Sequence, residues 1–354
     1  MGETATTPKP INLALQGGGS HGAFTWGVLD RLLEDDRVVI EGISGTSAGA
    51  INAAVLADGM EKGGRAGARD ALERFWRAMS ERGAFSPYRS GPFTPFHPFG
   101  TRWSPLALWY EWISQWASPY QLNPFDLNPL REVLAQTIDF ARLRACRCVK
   151  LYISATNVRT NRLHIFTREQ LSAAHLLASA CIPTLFQAVT IDGEHYWDGG
   201  LMGNPVLEPL VSHCRAVDIV IVQVNPTLRR ELPQTAQDIA ERFNQIAFNA
   251  SLMREVRTLA EIGRLVKAGV LQDPRYECTF LHRIAAEEAL EGLGPHSKHD
   301  TEWTFLTGLR DRGREKAGQW LAEELPQVGV RSTLDLEAWK PTVGDEEDRL
   351  YCRV

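Results

Sequence analysis

Two glycine turns in the first fifty residues carry the chemistry. "GISGTSAGA" (42–50) contains Gly45-Thr46-Ser47-Ala48-Gly49, a G-x-S-x-G placed where an apolar run meets a small-residue helical run. Glycines flanking a serine at such a turn permit a sharp strand-to-helix reversal that lifts the hydroxyl clear of a sheet, the arrangement of an acyl-transfer nucleophile. The other turn is "LQGGGSHGAF" (15–24), with Gly17, Gly18, Gly19 and Gly22. Its bare backbone fits two chemistries. Gly17, Gly19 and Gly22 spell G-x-G-x-x-G, and Glu41 lies 19 residues further on, where a ribose-binding acid belongs in a dinucleotide site. Alternatively, its amides are oxyanion donors for the serine one strand away. The dinucleotide reading leaves both the serine turn and a third glycine turn, Asp198-Gly199-Gly200, unexplained.

A serine nucleophile needs a base, and Asp198 is the candidate carboxylate. The order Ser, Asp, His of α/β-hydrolases is formally met by Ser47, Asp198 and one of His282, His296 or His299. That fold, however, places its nucleophile after a mid-chain strand, well behind its oxyanion loop. Plainer alternatives are that Ser47 caps a helix, Asp198 serves a turn, His21 and His195 pack locally, and Asn204-Pro205 begins a helix.

The elements that must position these residues follow from periodicity. Strands are expected at 11–16, 38–44, 148–158, 162–167, in "AVTI" and "HYW" before Asp198, at 216–224 and at 277–284. Helices are expected at 21–33, at 47–59 with Gly59 as the stop, and at 128–138, where Asn128 caps and Pro129 opens. Further helices are expected at 168–180, 233–270 and 303–325. Strand, glycine turn, helix, repeated at once, is the start of a doubly wound α/β sheet.

The bulk numbers set bounds. The 354 residues are 44% hydrophobic and 23% charged with a net charge of -5, a globular composition that offers no electrostatic case for nucleic acid. No apolar stretch reaches the roughly 18 residues of a membrane span, and "MGETATTPKP" lacks the pattern of a signal peptide. A cytoplasmic protein with free thiols, Cys146 and Cys148 included, is expected; no metal-ligand spacing occurs, and no cofactor is expected. Residues 83–125 are crowded with Pro and aromatics and read as an insertion or lid. Within it, Leu108, Trp109, Trp112, Ile113 and Trp116 form one helical stripe, so peripheral contact with a membrane or lipid aggregate is expected through 85–116.

"GGGSHG", "GTSAG", "ASACIPTLF" and "DGG", in this order, resemble the patatin-like phospholipase family. The resemblance covers roughly 11–225 and implies a three-layer α/β fold, its mostly parallel central sheet flanked by helices, with a Ser–Asp dyad and no metal. Mapped here, it implies Ser47 as nucleophile, Asp198 as base, and the amides of Gly18, Gly19 and Ser20 as oxyanion hole. Gly17, Gly22, Gly45, Gly49, Gly199 and Gly200 support these turns. His21 stands where many members carry Arg or Lys. The domain reading is a polar tail (1–10), a catalytic domain (11–225) and a mainly helical extension (226–354) packed on it. The expected activity is hydrolysis of lipid carboxylic esters, phospholipid or lysophospholipid, through an acyl-enzyme. A neutral or polymeric acyl ester is the alternative substrate, and a Rossmann-type dinucleotide-binding protein or a non-catalytic lipid-binding module the alternative class. The expected partner is a lipid ester substrate, with no nucleic acid; the sequence carries no signal for oligomeric state.

Overall fold

In a computed structural model the described residues are 8–83, 117–229, 231–277, 279–293, 295–336 and 339. Eight strands form one sheet: β1 (Lys9–Leu15), β2 (Val38–Gly45), β3 (Lys150–Asn157), β4 (Arg162–Thr167), β5 (Val189–Ile191), β6 (Glu194–Asp198), β7 (Asp218–Gln223) and β8 (Phe280–Ala285). The order is β5-β6-β3-β2-β1-β7-β8, with β4 also paired to β3. Neighbours from β3 through β2, β1 and β7 to β8 are parallel, whereas β4, β5 and β6 join through antiparallel pairs.

Side chains alternate between faces along a strand, and here both faces are covered. Ile11, Leu13 and Leu15 of β1 join one core cluster, while Ala14 joins a second with Ile219 and Ile221. The principal helices are α1 (Gly22–Leu33), α2 (Ala48–Arg82), α3 (Pro129–Thr137), α4 (Ala173–Ser179), α5 (Ala236–Lys267) and α6 (Trp303–Glu323). Phe24 and Val28 of α1 and Ile51 and Val55 of α2 pack in the first cluster, and Leu252 and Val256 of α5 pack in the second. The result is a three-layer α/β fold. Residues after 226 add β8 to the same sheet and lay α6 on α1, where Gly27 faces the Arg310 carbonyl and Gly313 the Phe24 carbonyl too closely for any side chain.

Several expectations need correction. Gly59 does not stop a helix: α2 runs on to a break at Gly63–Gly64, and Gly59 instead lets the second half pack back, since a Cβ there would lie 2.6 Å from the Ala68 Cα. The expected helix 168–180 is a 3-10 turn (Arg168–Gln170) followed by α4. Cys146 and Cys148 are joined as a disulfide rather than being free thiols, while Cys181 and Cys214 are free. The aromatic stripe from Leu108 to Trp116, and with it the lipid contact expected of 85–116, lies outside the described residues.

Candidate active site

The register of one strand brings the two key side chains together. All of β4 pairs along one edge of β3 (Tyr152–Asn157), so β2 and β6 must share the other edge. Strand β2 occupies its first half, ending with Gly45 opposite Ile153; β6 enters from the opposite direction and ends with Asp198 opposite Ala155. The ends of β2 and β6 therefore meet head to head two residues apart, with Ser47 just beyond one and Asp198 closing the other. The Ser47 hydroxyl faces the Asp198 carboxylate closely enough to be one of the groups that lower its pKa.

Ser47 sits at φ 54°, ψ -123°, a conformation that side chains rarely adopt and that costs about 1–3 kcal/mol. Three supports hold it. Its N–H donates to the Ser179 hydroxyl of α4 (2.9 Å), the Gly49 N–H closes on the Thr46 carbonyl (2.8 Å), and the Thr46 hydroxyl bonds to Ser154 of β3 (2.6 Å). Gly45 and Gly49 are required because Cβ atoms there would lie 2.8 Å from the Ala50 nitrogen and 2.7 Å from the Leu15 carbonyl carbon. Ser47 precedes α2 without capping it, because its side chain makes no cap hydrogen bond. The hydroxyl is thus not engaged by the helix end.

Asp198 is 4% exposed. Its carboxylate accepts the Gly200 N–H (2.7 Å), its backbone N–H donates to Cys181 (2.8 Å), and Gly199 lies against Ser154 with no space for a side chain. Burial pushes its pKa up to about 6, against the smaller downward pull of the Gly200 amide and the Ser47 hydroxyl. A buried carboxylate with only neutral donors is a stronger proton acceptor than aspartate in water.

The glycine loop lies level with Ser47, since Leu15 of β1 is in register with both Gly45 and Val222. Gly17 backs directly onto Ser47; a Cβ on it would lie 2.6 Å from the Ser47 Cβ. Its N–H donates to Asn204 Oδ1 (2.6 Å) and its carbonyl accepts Asn225 Nδ2 (2.7 Å). Gly18 is extended, Gly19 has φ +59°, and Ser20 is buried in the 3-10 turn Gly19–His21 that leads into α1. Among the described residues the amides of Gly18 and Gly19 have no hydrogen-bond acceptor. Gly22 opens α1 against Ala48; a Cβ on Gly22 would lie 2.7 Å from the Ala48 Cβ.

A sequence description of the patatin-like phospholipase family matches residues 13–211. The chain belongs to the patatin-like phospholipase family. The match takes in both glycine turns, β3, α4 and Asp198, the parts from which the site is assembled. No curated protein matches the chain. Among solved structures, VipD from Legionella pneumophila is 17% identical with a TM-score of 0.43, the alignment covering 90% of this chain and 67% of that one. A chain from the complex of SpcU with ExoU, of the type III secretion system of Pseudomonas aeruginosa, is 15% identical with a TM-score of 0.34. There the alignment covers 90% of this patatin-like phospholipase and 53% of the other chain, so the present chain spans about half of its length.

Other candidate residues sit elsewhere. His282 is fully buried in β8, its Nε2 2.9 Å from Asp218 at the start of β7, the end of the sheet opposite Ser47. Glu41 is spent on Lys150 (2.8 Å) and on the amides of Arg215 and Ala216, which removes it as a ribose ligand. His195 hydrogen-bonds Thr190 across the β5–β6 hairpin. His21 is buried against Ser297 (2.8 Å), its pKa pushed down to about 3, first by burial and then by the charges of Lys298 and His299. Asn204 does not begin a helix; it anchors Gly17. Ser179, Asn204 and Asn225 are the supports that sequence reasoning missed. "ASACIPTLF" and the residue after "DGGLMG" are the only local signals that could have drawn notice to the first two.

Proposed function

We propose that this patatin-like phospholipase hydrolyses lipid carboxylic esters with Ser47 as nucleophile and Asp198 as base. The observation that carries the reading is that the register of β3 brings a strained, partly exposed Ser47 up to a buried carboxylate that has no cation beside it and whose pKa the Ser47 hydroxyl helps to lower. As Ser47 Oγ bonds to the ester carbonyl carbon, its proton passes to Asp198. The carbonyl oxygen takes up the negative charge and is met by the unengaged amides of Gly18 and Gly19, with Ser20 next in the turn. Collapse breaks the bond to the leaving alkoxide, which takes the proton from Asp198 and departs as an alcohol. Water, deprotonated by Asp198, then attacks the acyl-enzyme; the fatty acid leaves and Ser47 regains its proton. Phospholipid or lysophospholipid is the proposed substrate class.

A fluorophosphonate should label Ser47 in the intact chain, and a panel of phosphatidylcholine, lysophosphatidylcholine and triacylglycerol should release fatty acid from the first two. Release from triacylglycerol alone would move the substrate class to neutral esters. Saturable dinucleotide binding without phosphonate labelling would overturn the hydrolase reading.

A further inference from the structure

Residues 295–299, far outside the segment that matches the family, form a 3-10 turn lying across the glycine loop. Ser297 holds His21, and the Lys298 carbonyl sits so close to Gly19 that a Cβ there would collide with it. The half-buried Lys298 ammonium donates to Asn225 Oδ1 (3.1 Å). Asn225, 0% exposed, donates from Nδ2 to the Gly17 carbonyl (2.7 Å) and from its backbone N–H to Gln16 Oε1 (2.7 Å). The Gly17 carbonyl and the Gly18 N–H belong to one rigid peptide plane and point in opposite directions. Whatever fixes the carbonyl therefore aims the amide.

We propose that Lys298 is a positioning residue for the Gly18 oxyanion donor, acting through Asn225. The cation withdraws charge through the Asn225 amide, which strengthens the bond to the Gly17 carbonyl, and a peptide polarised at its carbonyl is a better donor at its N–H. The ammonium is kept in a costly place to do this: burial holds its pKa below the ordinary lysine value, with Glu241 offsetting only part of that effect. Its charge is also felt on the loop, being one of the causes that depress His21. The inference rests on the acyl-hydrolase reading of Ser47 and the glycine loop.

The test uses a short soluble p-nitrophenyl ester, phosphonate labelling of Ser47 and thermal melting on the full chain. Lys298→Met should lower kcat about 10- to 100-fold, less than outright loss of an oxyanion donor at about 10²–10³, and slow phosphonylation in parallel. KM should stay within about twofold, since the donor acts in the transition state. Lys298→Arg should recover most of the loss. Asn225→Leu should match Lys298→Met, and the double variant should be little worse than either, because both cut one chain of interactions. Lys298→Gln, which keeps a donor for Asn225 without the charge, should fall between wild type and Met and replaces the Met variant if that one does not fold. Unchanged kcat in a folded Lys298→Met or Lys298→Gln protein, a change confined to KM, or losses that multiply in the double variant would overturn the assignment. A wild-type chain that neither hydrolyses esters nor takes the label would instead overturn the hydrolase reading, and this inference with it.

Discussion

Two aspartates of one sheet, almost equally buried, sit at opposite ends of it and are partnered differently. Asp198 (4% exposed) meets a hydroxyl and an amide, both neutral. Asp218 (2% exposed) accepts from His282 Nε2 and from the Gly329 N–H, each at 2.9 Å. His282 in turn bonds Thr333 (2.9 Å), Thr333 donates to Glu324, and Trp320 stands edge-on to the imidazole. Burial alone therefore does not mark a catalytic carboxylate. One that is given a histidine and a closed network is stitched into the fold. One left with only neutral donors keeps a high proton affinity.

The contrast should first be visible in rate. Asp198→Asn should cost about 10⁴-fold or more in kcat/KM, with Ser47→Ala about as severe and the pair not additive. Asp218→Asn, assayed per folded molecule, should leave turnover of a soluble ester within about twofold. A large loss from Asp218→Asn at unchanged melting temperature would break the comparison.

Stability should rank the two ends the other way. Removing one partner of a buried pair costs about 3–5 kcal/mol, so His282→Ala should lower the denaturation midpoint markedly without altering KM. Chemical denaturation followed by circular dichroism would measure it.

The smallest effect has the opposite sign. The folded-state pKa of Asp198, about 6, lies above its ordinary 3.8. The folded protein therefore holds this proton more tightly, and the penalty for ionising it is absent below pH about 4 and complete above pH about 6. Asp198→Asn cannot ionise and should be more stable than wild type at pH 8, by up to about 3 kcal/mol, and indistinguishable from it at pH 4. The same titration should make wild-type kcat/KM fall about tenfold per unit below pH 6. A stability difference that does not vary with pH would show that Asp198 is not held as an unpaired carboxylate.

Much of the catalytic edge is legible in the sequence because its geometry is local. Glycine turns at strand ends and continuous apolar strands specify themselves within a few residues, and the elements around Ser47 fall where periodicity puts them. The supports are not legible. Asn204 lies 187 residues from the Gly17 amide it anchors, Ser179 lies 132 from the Ser47 amide, and Asn225 lies 208 from the Gly17 carbonyl. Each is a single polar residue with no pattern of its own, defined only once the sheet has closed. Gly59 misleads for a related reason: a glycine that ends a helix and one that admits a neighbouring helix look alike without the neighbour.

Because β2 and β6 end against the same edge of β3, the spacing of Ser47 and Asp198 is metered by the single residue between Ile153 and Ala155. That residue is Ser154, whose hydroxyl bonds Thr46 at 2.6 Å on the Ser47 side and whose backbone lies against Gly199 on the Asp198 side. Side chains alternate faces along a strand, so one inserted or deleted residue there would do more than stretch the gap. It would turn Asp198 to the opposite side of the sheet. A change of length in a surface loop leaves this spacing untouched, whereas one inside this strand does not. The distance between Ser47 and Asp198 is thereby set from within β3, at Ser154.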